Sequence, residues 1–315
     1  MTALTVTAPA PVRLDKYLLQ QYPALSLGAL NKALRQNKIK LNGKKQPLAT
    51  RVRQGDEIRL YLQEEQLTPP SPDGPPFLAA RCPAELVYED GQLLIAHKPA
   101  GLPVEGNGPD TLLNRILLGQ YQAGSWQPGE GFAPALCHRL DTGTSGLVLA
   151  AKTAGAERLL TGLIRERRLQ KTYLCVTFGR PEPPAATLTG WLLKDAARGR
   201  VSILAGPRPG AKPVETRYRT LAVSGRLALL EVELITGRTH QIRAHLAGIG
   251  CPILGDGKYG SNAANRELRF KYQALCAWRL RFPKLDEPAL AGVSGRAFYA
   301  PEPWYCAQLR EGRLR

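Results

Sequence analysis

Asp141 stands in the run His138-Arg139-Leu140-Asp141-Thr142-Gly143-Thr144-Ser145-Gly146, and the apolar segment LVLAA follows at once. A short, unbroken apolar run of this kind reads as a buried strand. The end of such a strand is held rigidly, so the carboxylate would occupy a fixed point beside a low-dielectric core. Gly143 and Gly146 leave room for backbone or ligand to come close. A carboxylate seated this way can act as a nucleophile or as the electrostatic partner of a developing positive charge. An Arg–Asp pair closing a surface turn is the bland alternative for these two residue types alone.

A second set of chemically capable residues lies about a hundred positions on, in Leu234-Ile235-Thr236-Gly237-Arg238-Thr239-His240-Gln241-Ile242-Arg243-Ala244-His245-Leu246. The segment 229–235 alternates apolar and polar residues as a half-buried strand does. TGRTH then turns, and QIRAHLAG reads as a short helix. A strand–turn–helix bearing two arginines and two histidines suits an anion or phosphate clamp.

The elements that must position these residues can be read around them. ELVYED and LLIAHK are strands about an Asp-Gly turn, and TLLNRILLG is a helix capped by Asp110. AGAERLLTGLIRERRL is an amphipathic helix carrying Arg158, Arg165, Arg167 and Arg168. KTYLCVTFG is a strand, and TRYRTLAVS pairs with RLALLEVEL. Neither glycine-rich nucleotide-binding pattern occurs, so no cofactor is expected. Upstream, RLDKYLLQQYP is a helix ended before Pro23, and Ser26 caps a second one in which Leu27, Leu30 and Leu34 share a face. IKLNGKK is a strand with an Asn-Gly turn, and GDEIRLYL closes the unit. Six basic residues and no acidic one fall between positions 32 and 45: Lys32, Arg35, Lys38, Lys40, Lys44 and Lys45. Such a face suits an RNA backbone. Five prolines between 69 and 76 make 63–83 an extended linker.

The chain's 315 residues suffice for a large domain and a small one, and 43% hydrophobic content supports a real core. A net charge of +17 points to a polyanionic partner. No apolar run approaches the roughly 18–20 residues of a membrane span, and MTALTVTAPAPV lacks the pattern of a secretory signal. Six cysteines are scattered without zinc-type spacing. They are expected reduced, in the cytoplasm. A metal site built on His138, His240 and His245 would want more carboxylates or thiolates nearby, so none is expected.

Taken together, HRLDTGTSG at 138–146 and TGRTHQIRAHL at 236–246 resemble the signature segments of the RluA family of RNA pseudouridine synthases. YEDGQLLIAHKPAGLPV, Gln170-Lys171-Thr172-Tyr173 and GCPILGDGKYG resemble three further family segments, and the likeness covers most of 84–282. Residues 12–62 resemble the small S4-type RNA-binding domain. The resemblance implies an α+β protein in three parts. Residues 1–62 would form a small α/β RNA-binding domain, 63–83 the linker, and 84–315 a catalytic domain with a mixed, mostly antiparallel sheet flanked by helices and loops. It also implies conversion of uridine to pseudouridine without cofactor or metal. No second acid accompanies Asp141 in these segments, since Glu85, Glu89 and Asp90 sit in a strand and turn and Asp256 in a loop. A lone carboxylate without a water activator fits an isomerase better than a hydrolase.

By the same resemblance Asp141 is the catalytic aspartate, whether it attacks the anomeric carbon or takes a ribose proton. Arg243 would pair with it, and Tyr173 would stack on the uracil and serve as a late base. Arg139 would fill the space of the flipped uridine. Lys98, Arg238 and His240 would contact phosphates. The expected partner is ribosomal RNA of the large subunit, with transfer RNA second, engaged by a monomer away from membranes. A non-catalytic RNA-binding assembly factor is the alternative. His97 stands where the family has asparagine, Thr142-Gly143 replaces a more polar pair, and 283–315 matches only loosely.

Overall fold

The computed structural model describes residues 2–314 apart from 9, 23, 24, 26, 63–73, 107, 196 and 197, and apart from the side chains at 27 and 32. The expected Ser26 cap, the Leu27 and Lys32 side chains and most of the proline-rich stretch therefore lie outside the described residues. The chain divides into two units, Met1–Ala79 with Gly106–Pro109, and Ala80–Glu105 with Asp110–Arg315.

In the first unit, strands β1 (Thr2–Thr5), β5 (Glu57–Leu60) and β3 (Ile39–Leu41) form an antiparallel sheet in that order. Two short strands, β2 (Val12–Arg13) and β4 (Arg51–Val52), pair beside it. Helices α1 (Leu14–Gln21) and α2 (Leu27–Arg35) cover them. Leu14, Leu18, Leu30, Ile39, Val52, Ile58 and Leu60 are buried together. The Asn-Gly turn forms as expected: Asn42 and Gly43 both have positive φ, 49° and 77°. Leu41 and Lys44 exchange backbone hydrogen bonds across it. Arg35, Lys38, Lys44 and Lys45 are exposed and Lys40 is half-buried. Beyond the undescribed stretch, Pro76–Ala79 form a 3-10 turn that buries Phe77, so this part of the expected linker is folded.

The second unit is built on an eleven-stranded sheet. Its strands are β6 (Glu85–Glu89), β7 (Leu93–Lys98), β8 (Ala135–Leu136), β9 (Ser145–Ala151), β10 (Gln170–Phe178), β11 (Ala185–Asp195), β12 (Arg200–Leu204), β13 (Lys212–Ser224), β14 (Leu227–Leu234), β15 (Leu275–Arg281) and β16 (Ala297–Tyr299). The main path runs β12-β11-β13-β14-β10-β15-β9-β7-β6. Every pairing is antiparallel except β15 with β9, which meet at Cys276–Ser145 and Ala277–Gly146. Gly146, at φ 114°, is required there, because a methyl group would collide with the Ala277 backbone.

Both faces of the sheet's centre are buried, which is why β7 and β9 read as continuous apolar runs. Leu94, Ala96, Val148 and Ala150 pack on one face with Ile242 and Leu246 from helix α5 (Gln241–Gly248). Leu93, Ile95, Leu147 and Leu149 pack on the other with Leu160 and Leu163 from helix α4 (Ala154–Arg165). Helix α3 (Leu112–Gln122) is capped by Thr111, whose hydroxyl accepts from the Asn114 N–H. Asp110, expected as that cap, instead binds the Arg115 guanidinium through both oxygens, at 2.7 and 2.9 Å. The bidentate bond to a full positive charge outcompetes a single bond to a backbone N–H.

Candidate active site

Asp141 sits in a turn just ahead of β9, closed by the Thr144 N–H donating to the Asp141 carbonyl at 3.0 Å. His138 ties the same turn to the strand. Its Nε2 accepts from the Leu149 N–H at 3.1 Å, and burial, aided by the nearby Lys171 charge, holds its pKa down at about 3. Behind the turn lies Lys98, at the end of β7 and in register with Gly146. Lys98 is wholly buried. Its ammonium donates to the carbonyls of Pro99, Leu102 and Thr142 at 3.0, 2.7 and 3.0 Å. Three donors meet three acceptors, and no valence is left for a phosphate. The expectation of a phosphate contact at Lys98 is therefore corrected: this lysine clamps the Asp141 turn from inside. Burial lowers its pKa to about 8, with the Asp141 charge opposing.

The second motif converges on the same turn. Gln241 fixes its backbone, accepting from the Arg238 N–H and the Thr236 hydroxyl and donating to the Glu215 carbonyl and the Thr216 hydroxyl. The helix α5 that follows carries Arg243 inward. Arg243 Nη1 donates to Asp141 Oδ2 at 2.7 Å. Its Nε and Nη2 bind both oxygens of Asp256, at 2.6 and 2.9 Å. Asp256 is fully buried and also accepts from the Lys258 and Tyr259 N–H groups. Burial would raise the Asp256 pKa, but the Arg243 guanidinium and these two N–H groups bring it below the usual value. Arg243 is thus locked in place before it reaches Asp141. Asp141 Oδ1 has no protein partner among the described residues.

His240 precedes α5 in the left-handed region, at φ 55°. Its Nε2 lies 3.7 Å from Asp141 Oδ2, and its Nδ1 is 3.0 Å from the Tyr259 hydroxyl. Burial lowers its pKa, and Asp141 pulls the other way. The Tyr259 oxygen already accepts from the Val201 N–H at 2.8 Å. His240, expected on a phosphate, faces the carboxylate instead. His245 lies elsewhere: it is buried, its Nδ1 meets the Thr216 hydroxyl at 2.8 Å, and burial lowers its pKa to about 4. The three histidines thus serve separate partners. No group of three or more metal-capable side chains occurs among the described residues.

Asp141, Arg243 and Tyr173 line one cavity of about 290 Å³, together with Arg139, Lys171, Arg238 and His240. Tyr173 enters from β10, where the register slips between Thr172 and Tyr173 against β15. It is buried, and its hydroxyl has no partner among the described residues. Burial, with the Asp141 charge adding to it, raises its pKa, so the phenol is neutral. Lys171 is half-buried, carries a pKa lowered by burial and has no carboxylate partner among the described residues. Arg139 and Arg238 are exposed at the cavity. Asp256, Tyr259 and Lys171 are the site residues that sequence reasoning missed. Asp256 and Tyr259 sat within the GDGKYG loop already noted as family-like, and Lys171 within the noted QKTY segment.

The mixed sheet thus holds an arginine-paired aspartate in a basic cavity, a setting that suits an anionic substrate and chemistry through one carboxylate. A family model for RNA pseudouridylate synthase matches residues 92–248, and one for the S4 domain matches residues 12–58. A protein of Mycoplasma pneumoniae named as an uncharacterized RNA pseudouridine synthase is 33% identical over 95% of this chain and 94% of its own. A protein of Rickettsia bellii named ribosomal large subunit pseudouridine synthase C is 36% identical over 82% of this chain and 86% of its own. Among solved structures, human RNA pseudouridylate synthase domain containing 4 superposes with a TM-score of 0.58 at 27% identity, covering 73% of this chain and 94% of that one. The chain belongs to the RNA pseudouridine synthase family, with an S4 domain at its N-terminus, and is an isomerase acting on uridine in RNA.

Proposed function

We propose that the protein converts one or more uridines of large-subunit ribosomal RNA to pseudouridine, with Asp141, Arg243 and Tyr173 as the catalytic set. The reaction breaks the bond from uracil N1 to the anomeric carbon, turns the base, and joins C5 to that carbon. The C5 proton is lost and N1 gains one, so no atom or electron is supplied from outside. Asp141 Oδ1 meets the sugar, either at the anomeric carbon or at a ribose proton. Arg243, fixed by Asp256, holds the other oxygen. The Tyr173 ring stacks on the uracil, and its neutral hydroxyl directs the acceptor of the C5 proton. Lys171 supplies positive charge where the departing uracil carries negative charge. Arg139 fills the space vacated by the flipped nucleotide, and Arg238 meets phosphate.

The observation that carries this reading is the Arg243–Asp141 contact of 2.7 Å inside a cavity shared with Tyr173. The buried Asp256 that fixes Arg243 against Asp141 favours catalysis over an RNA-binding role alone. The choice of ribosomal RNA rests on the name of the Rickettsia relatives and on the exposed basic residues of the S4 domain. We place this activity in a monomer in the cytoplasm. Incubating the purified full chain with large-subunit ribosomal RNA and with transfer RNA, then scoring pseudouridine, tests the proposal. Product in the ribosomal RNA is expected, and product confined to transfer RNA would refute the substrate.

A further inference from the structure

A second concavity, of about 440 Å³, lies across β15 from the Asp141 cavity. Leu275 lines the first, while its neighbours Ala274 and Cys276 line the second, as strand alternation requires. Thr144 lines the first and Ser145 the second, and Gln273 of the second donates to the Thr144 hydroxyl at 3.1 Å. The second concavity makes no contact with Asp141, Tyr173 or Arg243.

Its wall is Arg269-Phe270-Lys271-Tyr272, where cations and rings alternate, with Trp304 at the start of helix α7 (Trp304–Arg310). Helix α6 (Asn262–Glu267) precedes that wall. Trp304 is 58% exposed and stacks on Phe270 at 5.2 Å with ring planes 25° apart. The Lys271 ammonium lies 5.2 Å over the Tyr272 ring. Arg269 and Lys271 are exposed and have no carboxylate partner among the described residues. The remaining charged groups of the concavity are spoken for: Glu302 pairs with Arg310 at 2.8 Å and His97 with Glu85 at 2.9 Å. The concavity therefore presents net positive charge and a half-exposed indole braced by a second ring. Stacking on a braced aromatic platform combined with cations along a backbone is how unpaired nucleic acid is held. An acidic peptide would satisfy the cations but leave the indole face unused.

We propose that this concavity is a second RNA site, stacking one unpaired base on Trp304 and holding the adjoining phosphates with Lys271 and Arg269. Thr144 and Ser145, neighbours just after the Asp141 turn, line the two concavities, so the second suits a single-stranded segment of the substrate strand beyond the target uridine. It does not depend on which RNA is modified.

The test uses the full chain and a single-stranded oligouridine of about ten nucleotides, within the span such sites cover. Ultraviolet crosslinking should join the RNA to peptides containing 269–272 or 304. Trp304→Ala should weaken binding at least about fivefold, the low end of a lost base stack, while Trp304→Phe keeps most of the affinity. Lys271→Ala, on an exposed side chain that leaves the fold intact, should reduce the salt slope of binding by about 0.7. Unchanged affinity and salt slope in folded Trp304→Ala and Lys271→Ala, or crosslinks confined to the Asp141 cavity, would overturn the proposal. So would a Trp304→Ala defect towards an acidic peptide in place of RNA.

Discussion

One guanidinium divided between two carboxylates sets the chemistry at the residue scale. Arg243 satisfies Asp256 with two donors and reserves a third for Asp141. Removing it strands a fully buried Asp256. Arg243→Ala is accordingly expected to cost about 3–5 kcal/mol in denaturant unfolding, along with activity. Arg238→Ala, on an exposed side chain, should stay within about 0.5 kcal/mol and act on RNA affinity alone. Equal unfolding midpoints for the two variants would contradict the buried triad. Tyr173→Phe keeps the ring and loses the hydroxyl. Release of tritium from uridine labelled at C5 should slow by about 10²–10⁴-fold while RNA affinity holds. Normal release would leave Tyr173 a stacking role only. Asp141, Arg243 and Tyr173 were singled out through the family resemblance of short segments, and the structure brings the three into one cavity. Asp256 was not, because its partnership with Arg243 exists only once a loop folds back on helix α5.

At the scale of elements, the buried strands were the easiest to read, since β7 and β9 are buried on both faces and carry the unbroken apolar runs LLIA and LVLAA. The α3 cap was misassigned because two adjacent residues could each serve, and a tertiary partner, Arg115, claimed Asp110. Strands β11 and β12 escaped notice because their faces are only partly buried. Lys98 shows the same limit: a lysine in a Lys-Pro turn reads as a surface cation, and only the folded chain surrounds it with carbonyls. Lys98→Met tests that reassignment. Up to three buried carbonyls would lose their donor, at about 1–3 kcal/mol each, so melting temperature and turnover should both fall. The salt slope of RNA binding should not change. A slope lowered by about 0.7, with stability intact, would restore Lys98 to a phosphate.

Over the whole molecule, the excess of positive charge and the S4 domain give the RNA partner, and the sequence carried both openly. The titration of the core it did not show. His138 and His245 are held neutral, at about 3 and about 4, by burial. In the unfolded chain both titrate near 6.5. Their folded values are depressed, so as pH drops below 6.5 the unfolded chain takes up protons that the folded chain refuses. Stability is then lost progressively towards pH 4. Between pH 6 and 5 the loss should be about 2.4 kcal/mol, because each unfolded imidazole is on average about nine-tenths protonated there and each proton counts 1.36 kcal/mol per pH unit. Urea unfolding at the two pH values measures it, and a flat profile would mean that these imidazoles are not buried neutral.

The central claim, that the Asp141 carboxylate isomerises uridine in RNA, is tested most directly by one complementation. Large-subunit ribosomal RNA from cells lacking this protein would be mapped for pseudouridine after restoring either the natural chain or Asp141→Asn. Asparagine preserves the size of the side chain and removes its negative charge. At least one pseudouridine should vanish with the protein, return with the natural chain and stay absent with Asp141→Asn present at equal level and folded. Return of that pseudouridine with Asp141→Asn would contradict the account.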